Sequence, residues 1–201
     1  MIILGLTGSI GMGKSTTAEM FREVGADVYD ADAVVHMLYN GAATPLVEAA
    51  FPGTSDGEVV DRKKLGDRVL GDKDALKQLE AIIHPLVHAE QQKFLDAARK
   101  AGAKLVVLDI PLLFEGGREN TVDAVIVVTA SKETQRNRVL ARPGMTKVRF
   151  ESILEKQIPD AIKREKADFL IDTGLGMDAA RAKVAEIIQS VSDGEFQNRK
   201  S

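Results

Sequence analysis

Short runs of apolar, β-branched residues alternate with longer amphipathic stretches along the chain. Five runs predict strands that are covered on both faces: residues 2–7, 104–110, 123–129 and 167–172, together with 26–32, which ends in acidic residues. Helical patterns separate them, beginning with "KSTTAEMFREVG", for which Gly25 is a natural stop. Repeated βα units of this kind predict a single α/β domain around a parallel sheet of about five strands.

Two long stretches interrupt this alternation. The first, residues 32–102, predicts a helical insertion with pieces at 45–51, 62–70 and 74–83, and a long helix at 85–100 that returns to the sheet. The second, residues 141–165, is rich in charge and predicts a loop and a helix that cover part of the molecule. The sheet core is therefore assigned to residues 1–31, 103–140 and 166–192, and the polar end, residues 192–201, is expected to fray.

Composition and charge narrow the range of functions. The 201 residues carry a net charge of −3, so we expect no basic field of the kind that binds nucleic acid. Cysteine is absent, which excludes disulfides, thiolate catalysis and sulfur-based zinc sites. No apolar window approaches the length of a bilayer span, and the first apolar run fits a strand better than a signal peptide. We expect a cytoplasmic protein without membrane or nucleic-acid partners.

Residues 8–15, G-S-I-G-M-G-K-S, match G-x-x-x-x-G-K-[ST] and lie between a predicted strand and a predicted helix. Glycine lets consecutive backbone N–H groups turn toward phosphate oxygens, and the following helix adds its positive dipole end. Lys14 then reaches the β- and γ-phosphates of a nucleotide, while the Ser15 hydroxyl binds Mg²⁺. The predicted nucleotide-binding residues are Gly8, Gly11, Met12, Gly13, Lys14, Ser15 and Thr16.

A phosphate loop of this type occurs in GTPases, in motor and transport ATPases, and in small-molecule kinases. The sequence lacks the N-K-x-D and D-x-x-G motifs expected of a GTPase, and motor or transport ATPases are usually larger. A helical insertion and a charged covering segment favour a small-molecule kinase, because phosphoryl transfer requires a lid that excludes water. The alternatives are a nucleotide-dependent switch protein and a nucleoside monophosphate kinase, although the insertion has few arginines for a second phosphate group.

The chain resembles the dephospho-coenzyme A kinase family over nearly its whole length. The resemblance runs, in order, through "LTGSIGMGKST", "DADAVVH", "IIHPLV", "DIPLLFE", "RNRVLARPGMT" and "ADFLID". It implies transfer of the ATP γ-phosphate to the ribose 3′-hydroxyl of dephospho-coenzyme A, with Mg²⁺, giving coenzyme A and ADP. It also implies a three-layer P-loop kinase fold like that of nucleoside monophosphate kinases, in which residues 32–102 bind the acceptor and residues 141–165 form a lid. The turn "DTGLG" departs from the family, in which asparagine commonly follows "ID".

Asp32 is the predicted catalytic residue of the acceptor site. It comes at the carboxyl end of the second predicted strand, where α/β sheets bind ligands, and its carboxylate can accept the proton of the ribose hydroxyl. If the transition state is loose, its main role is to orient that hydroxyl. The alternative is a helix N-cap for "AVVHML". Asp30 is the weaker candidate, with a structural role or one in the outer shell of the magnesium ion. His36, one helical turn after Asp32, contacts the acceptor, pairs with Asp32 or lies on the surface.

The resemblance assigns further acceptor contacts to two short motifs, at His84, Pro85, Leu112, Leu113, Phe114 and Glu115. The proline also predicts a break between two helices, because the residue before a proline disfavours helical geometry. The three apolar residues fit the protein core as well as an acceptor pocket, and the glutamate can hold a cation or the substrate. Asp109 ends a predicted strand and is expected to support Mg²⁺ through a bound water.

Arg138 and Arg142 are four residues apart at the entry to the lid. We expect both on one face of a helix, where two guanidinium groups neutralise the transferring phosphoryl oxygens, or where one stacks on adenine. Four further cations of this charged stretch are expected on a solvated helix face: Arg149, Lys156, Lys163 and Arg164. A monomer or a weak homo-oligomer is expected.

Overall fold

The computed structural model describes residues 1–194, so residues 195–201 of the end expected to fray lie outside the described residues. The chain forms two compact units. The first combines Met1–Tyr29 with the chain from Ala98 onward, and the second is Asp30–Ala97. Within residues 1–194, no helix is both long enough and apolar enough to cross a membrane.

Five strands form one sheet, and each lies within one of the five apolar runs that predict strands. They are β1 (Ile2–Thr7), β2 (Asp27–Asp30), β3 (Leu105–Asp109), β4 (Ala124–Thr129) and β5 (Phe169–Asp172). Their order across the sheet is β2-β3-β1-β4-β5. β1 pairs in parallel with β3 and β4, and β4 pairs in parallel with β5. The predicted α/β class is confirmed, and the glycine-rich loop follows the central strand.

The α-helices described in residues 1–194 are α1 (Lys14–Glu23), α2 (Ala31–Tyr39), α3 (Thr44–Ala50), α4 (Arg62–Val69), α5 (Lys73–Lys100), α6 (Lys132–Leu140), α7 (Lys147–Glu155), α8 (Asp160–Glu165) and α9 (Met177–Ser192). The stop predicted for α1 is confirmed, since Gly25 has a φ of 87°, a conformation that glycine adopts without strain. The charged stretch forms two helices, α7 and α8, where the pattern predicts one. Pro159 has no N–H with which to continue a helix, and it is instead the N-cap of α8.

The core of the first unit lies between the sheet and the helices that cover it. Every residue of β3 and β4 is buried, as expected for strands covered on both faces. Leu4 and Leu6 of β1 belong to one buried cluster with Phe21 of α1 and with Val184 and Ile187 of α9. Each of these side chains contributes about 1.5–3 kcal/mol on burial. This packing fixes β1 and α1, the two elements that flank the glycine-rich loop.

The second unit has a core of its own, formed by side chains from four helices. Leu38 of α2, Val47 of α3, Leu65 of α4 and Leu79 of α5 are all buried in one cluster. Each of these helices therefore contributes an apolar face to the core of the unit, as its sequence pattern predicts.

The predicted helix break at His84 and Pro85 is wrong. α5 continues through the proline, although a proline inside a helix removes one backbone hydrogen bond and costs about 3 kcal/mol. Leu79, Ile83 and Val87 recur every fourth residue along α5 and are buried in the core of the second unit. Burial of this apolar stripe on both sides of the proline offsets the lost hydrogen bond.

Candidate active site

The glycine-rich loop has the backbone conformation that its glycines permit. Gly11 and Gly13 have φ values of 79° and 93°, in the left-handed region that residues with a Cβ avoid. α1 begins at Lys14, and its N-cap is Gly13, which has no side chain to cap the helix. The first N–H groups of a helix have no partner within the helix, so here they remain available to an anion. The loop therefore has the features of a phosphate-binding site.

Two glycines of the loop are also required by close packing. A Cβ on Gly8 would lie 2.7 Å from the backbone oxygen of Val128, and one on Gly11 would lie 2.4 Å from Cγ2 of Val139. Both distances are shorter than real Cβ contacts, and φ at Gly11 adds backbone strain for any other residue. The loop is thus packed closely against β4 and α6.

Lys14 and Asp109 form an ion pair at the base of this loop. Lys14 Nζ lies 2.5 Å from Asp109 Oδ1, and their side chains are 15% and 3% exposed. Asp109 ends β3 and Lys14 opens α1, so the parallel pairing of β1 with β3 places both residues at the same edge of the sheet. Ser15 and Thr16 are exposed in the first turn of α1. An ammonium, a carboxylate and two hydroxyl groups therefore accompany the open helix terminus.

Three side chains that are not among the predicted site residues form hydrogen bonds with the loop backbone at Ile10 and Met12. Gln157 Oε1 accepts a hydrogen bond from the Ile10 N–H at 3.1 Å, and Gln135 Nε2 donates to the Ile10 carbonyl at 2.8 Å. The Thr173 hydroxyl donates to the Met12 carbonyl at 2.8 Å. Thr173 directly follows β5, in "DTGLG". No local pattern distinguishes these residues from surface residues, because their partners are distant in sequence.

The two arginines expected at the entry to a lid, Arg138 and Arg142, differ in their placement. Arg138 lies on α6 and donates to Thr173, from Nη1 to the hydroxyl at 2.8 Å and from Nη2 to the carbonyl at 3.0 Å. The expectation that Arg142 shares a helix face with it is wrong, since α6 ends at Leu140 and Arg142 lies beyond the C-cap. Pro143 follows Arg142, and a proline disfavours helical geometry in the residue that precedes it.

The segment "PLLFE" is divided between core and surface. Leu113 and Phe114 are buried, with 0% and 4% exposure, whereas Leu112 is 49% exposed. Glu115 Oε1 lies 2.7 Å from Lys163 Nζ, so the cation that this glutamate holds belongs to the chain itself. The expectation that Lys163 lies on a solvated face is wrong, because its side chain is 0% exposed. Tertiary packing closes over this lysine, although its neighbour Arg164 is exposed.

The chain between α7 and α8 is anchored to the same edge of the sheet. The Ile158 N–H donates to Glu115 Oε1 at 2.9 Å, and the Thr129 hydroxyl donates to Asp160 Oδ2 at 2.7 Å. Thr129 is the last residue of β4, which is the neighbour of β1 in the sheet. Together with the Lys163 ion pair, these contacts fix the segment that carries Gln157.

Four of the residues expected to bind the acceptor lie in the second unit: Asp32, His36, His84 and Pro85. β2 ends at Asp30, whose side chain accepts a hydrogen bond from the Ala33 N–H at 2.9 Å and caps α2. The N-cap is therefore Asp30, and the alternative that Asp32 caps this helix is wrong. Asp32 is also not a strand end: it is an exposed residue in the first turn of α2, one helical turn before the exposed His36. His84 and Pro85 are exposed on α5.

Comparisons with known proteins identify the relatives of this chain. A dephospho-CoA kinase of Mesorhizobium japonicum is 63% identical over 191 residues, which are 95% of this chain and 97% of that protein. A crystal structure from Thermus thermophilus has a TM-score of 0.85 at 32% identity, and a dephospho-CoA kinase from Campylobacter jejuni has one of 0.65 at 28% identity. Each structural match covers 94% of this chain and 96% of the other. The family model described as dephospho-CoA kinase matches residues 2–178, and the chain therefore belongs to the dephospho-CoA kinase family.

Proposed function

We propose that the protein transfers the γ-phosphate of ATP to the ribose 3′-hydroxyl of dephospho-CoA, the last step of coenzyme A synthesis. The observation that carries this proposal is the intact phosphate loop, with its left-handed glycines and Lys14, within a chain that the family model matches over residues 2–178. ATP is the phosphate donor that such a loop binds in kinases.

The loop binds the phosphates through its backbone and through Lys14. The open N-terminus of α1 attracts the negative charge of the phosphates. The Lys14 ammonium pairs with Asp109, and phosphate oxygens offer it a competing anion. Arg138 and Arg142 are proposed to neutralise the remaining phosphate charge; only part of the hydrogen-bonding capacity of Arg138 is used by Thr173.

Mg²⁺ fits the donor groups present at this site. Magnesium is usually bound through one or two protein oxygens together with substrate phosphates and waters. The exposed Ser15 hydroxyl and the Asp109 carboxylate supply such oxygens, directly or through water. The ion would neutralise charge on the β- and γ-phosphate oxygens.

Asp32 is proposed to accept the proton of the ribose hydroxyl and to orient that hydroxyl. Its carboxylate is exposed in the first turn of α2 and is not used as the helix cap, so it is available to a substrate. His36 and the exposed pair His84 and Pro85 are proposed acceptor contacts. Leu112, Leu113, Phe114 and Glu115 are also proposed acceptor contacts, and Leu112 is the exposed apolar residue among them.

The substrates are small molecules, and we propose that the protein acts in the cytoplasm as a monomer or weak homo-oligomer, without nucleic-acid or membrane partners. The net charge of −3 supports the absence of a nucleic-acid partner. Residues 141–165, with α7 and α8, are proposed to form the lid, and residues 32–102 the acceptor-binding insertion.

A coupled ADP-release assay with purified protein tests this function. ADP release should rise with dephospho-CoA as acceptor and should stay at the background level with AMP or CMP. A rise with a nucleoside monophosphate alone would assign the protein to the alternative class of kinases. ADP release that no acceptor stimulates would instead support a nucleotide-dependent switch protein.

Asp32→Asn tests the proposed base in the same assay. A general base contributes about 10²–10⁴-fold to a rate, so we expect kcat to fall by at least about a hundredfold while ADP binding is unchanged. Asp74→Asn is a matched control, because Asp74 is also exposed in the first turn of a helix of the second unit. Full activity in Asp32→Asn would remove this residue from the mechanism.

A further inference from the structure

The outer side of the phosphate loop is held at Ile10 by two glutamine side chains that come from different parts of the chain. Gln135 belongs to α6, whereas Gln157 lies between α7 and α8. One contacts the carbonyl of Ile10 and the other contacts its N–H group. Both polar groups of one loop residue are thus satisfied by side chains rather than by secondary structure.

The two glutamines use opposite ends of their amides. Gln157 accepts through Oε1 at 3.1 Å, and Gln135 donates through Nε2 at 2.8 Å. The partner atoms require this assignment, because an N–H can only donate and a carbonyl can only accept. Gln135 is 5% exposed, so few waters can replace it.

Gln157 is itself held in place. The next residue, Ile158, donates its N–H to Glu115, which also forms the ion pair with the buried Lys163. The Asp160 carboxylate accepts a hydrogen bond from the hydroxyl of Thr129 at the end of β4. These contacts fix the chain next to Gln157, so its side chain is held beside Ile10 more firmly than the side chain of a glutamine in an unanchored loop.

We propose that Gln135 and Gln157 are positioning residues for ATP: they fix Ile10 so that the backbone N–H groups of the loop stay directed at the phosphates. A glycine-rich loop is flexible by itself, and ligand binding is weakened by the entropy lost when such a loop becomes ordered. Contacts that order the loop beforehand remove part of that loss. The proposal rests on ATP binding by the phosphate loop, and it does not depend on which acceptor is phosphorylated.

Glutamate substitutions separate this role from a general effect of charge. A carboxylate keeps the acceptor oxygens of glutamine and loses its N–H donors. Gln157→Glu should therefore keep the bond to the Ile10 N–H, whereas Gln135→Glu places a carboxylate against the Ile10 carbonyl. Both variants add one negative charge beside Ile10, but Gln135 is the more buried position, so Gln135→Met, which removes the donor without adding a charge, separates the hydrogen bond from the cost of burying a charge.

ADP binding measured by titration calorimetry is the first readout. We expect the Kd for ADP to rise about tenfold in Gln135→Glu and at most about threefold in Gln157→Glu, as for loss or retention of one buried hydrogen bond. Gln135→Met removes the donor without adding a charge and should also weaken ADP binding. It serves as the test if Gln135→Glu fails to fold. Gln189→Glu, on the exposed side of α9, is the control for one added charge and should bind ADP like the wild type.

Amide hydrogen exchange and steady-state kinetics are the second readout. Exchange at the Ile10 N–H should become faster in Gln157→Met, which has no acceptor, and should stay slow in Gln157→Glu. The KM for ATP should rise in Gln135→Met while the KM for dephospho-CoA stays unchanged, a split that general loss of stability would not produce. Equal ADP affinities in the two glutamate variants, or unchanged Ile10 exchange in Gln157→Met, would overturn the proposal. ADP binding without transfer to dephospho-CoA would refute only the proposed acceptor.

Discussion

Replacing Lys163 by methionine removes an ammonium group from a position with no solvent exposure. The side chain is 0% exposed, and its Nζ lies 2.7 Å from Oε1 of Glu115, which is 13% exposed. Methionine has a similar length and fills much of the same space. The substitution therefore mainly leaves the Glu115 carboxylate in a poorly solvated position without its cation.

The expected loss of stability follows from this geometry. Removing one partner of a buried ion pair costs about 3–5 kcal/mol, because the remaining charge is not compensated. Glu115 keeps the hydrogen bond from the Ile158 N–H at 2.9 Å, so we expect the lower end of this range, about 3 kcal/mol. For a chain of this size, that corresponds to a fall in Tm of about 6–12 °C.

Urea and thermal unfolding, followed by circular dichroism, measure this loss. Lys163→Met combined with Glu115→Gln should recover most of it, because glutamine keeps the acceptor for Ile158 and removes the unpaired charge. Lys156→Met is the matched control, since Lys156 is exposed in the same stretch, and it should change stability by less than about 0.5 kcal/mol. Equal stabilities of Lys163→Met and Lys156→Met would refute this reasoning, as would a double variant no more stable than Lys163→Met alone.

Two further substitutions test the loop packing and the pH dependence of stability. Gly11→Ala should weaken ADP binding and lower the free energy of unfolding by at least about 2 kcal/mol, because the backbone strain of a left-handed alanine adds to a clash with Val139. Gly25→Ala is the control: Gly25 has a similar φ but open space around it, so this variant should lose less stability. Glu48 accepts hydrogen bonds from the Gly53 N–H and from the hydroxyl and N–H of Ser55. These bonds hold the pKa of Glu48 below its ordinary value of 4.5. The ionised Glu48 therefore stabilises the folded state at pH values above 4.5, and this stabilisation is lost as the pH falls through the pKa of Glu48 in the folded state. Glu48→Gln should therefore show a weaker pH dependence of urea unfolding between about pH 5 and pH 3, and an unchanged dependence would contradict this assignment.

Much of the fold can be predicted from local pattern. Strands buried on both faces need apolar runs, and β3 and β4, which are buried throughout, lie within such runs. β2, with an aspartate at each end, is only partly buried. The phosphate loop is equally local, because its glycines, Lys14 and Ser15 are contiguous and act through their own backbone. The order of the strands across the sheet carries no comparable local signal.

Predictions failed where a local rule competed with distant contacts. The proline rule predicts a break at Pro85, but burial of Ile83 and Val87 in the second unit offsets the missing hydrogen bond. The sequence offers Asp32 as a cap of α2, but β2 ends at Asp30, whose side chain caps the helix instead. At Pro85, the burial of apolar side chains in the core offsets a local cost of about 3 kcal/mol; at Asp30, the place where β2 ends selects the cap.

The sequence alone determines that this chain is an α/β protein with an ATP-type phosphate loop, because those features depend on neighbours in the chain. Only the tertiary structure decides which polar side chains support that loop. Lys163 and the exposed Lys156 lie in the same charged stretch, and Gln157 resembles any surface glutamine until the chain brings Ile10 beside it. The physical reason is that burial and hydrogen-bond partnership belong to pairs of residues, and these partners lie 48 positions apart for Glu115 and Lys163 and 147 apart for Ile10 and Gln157.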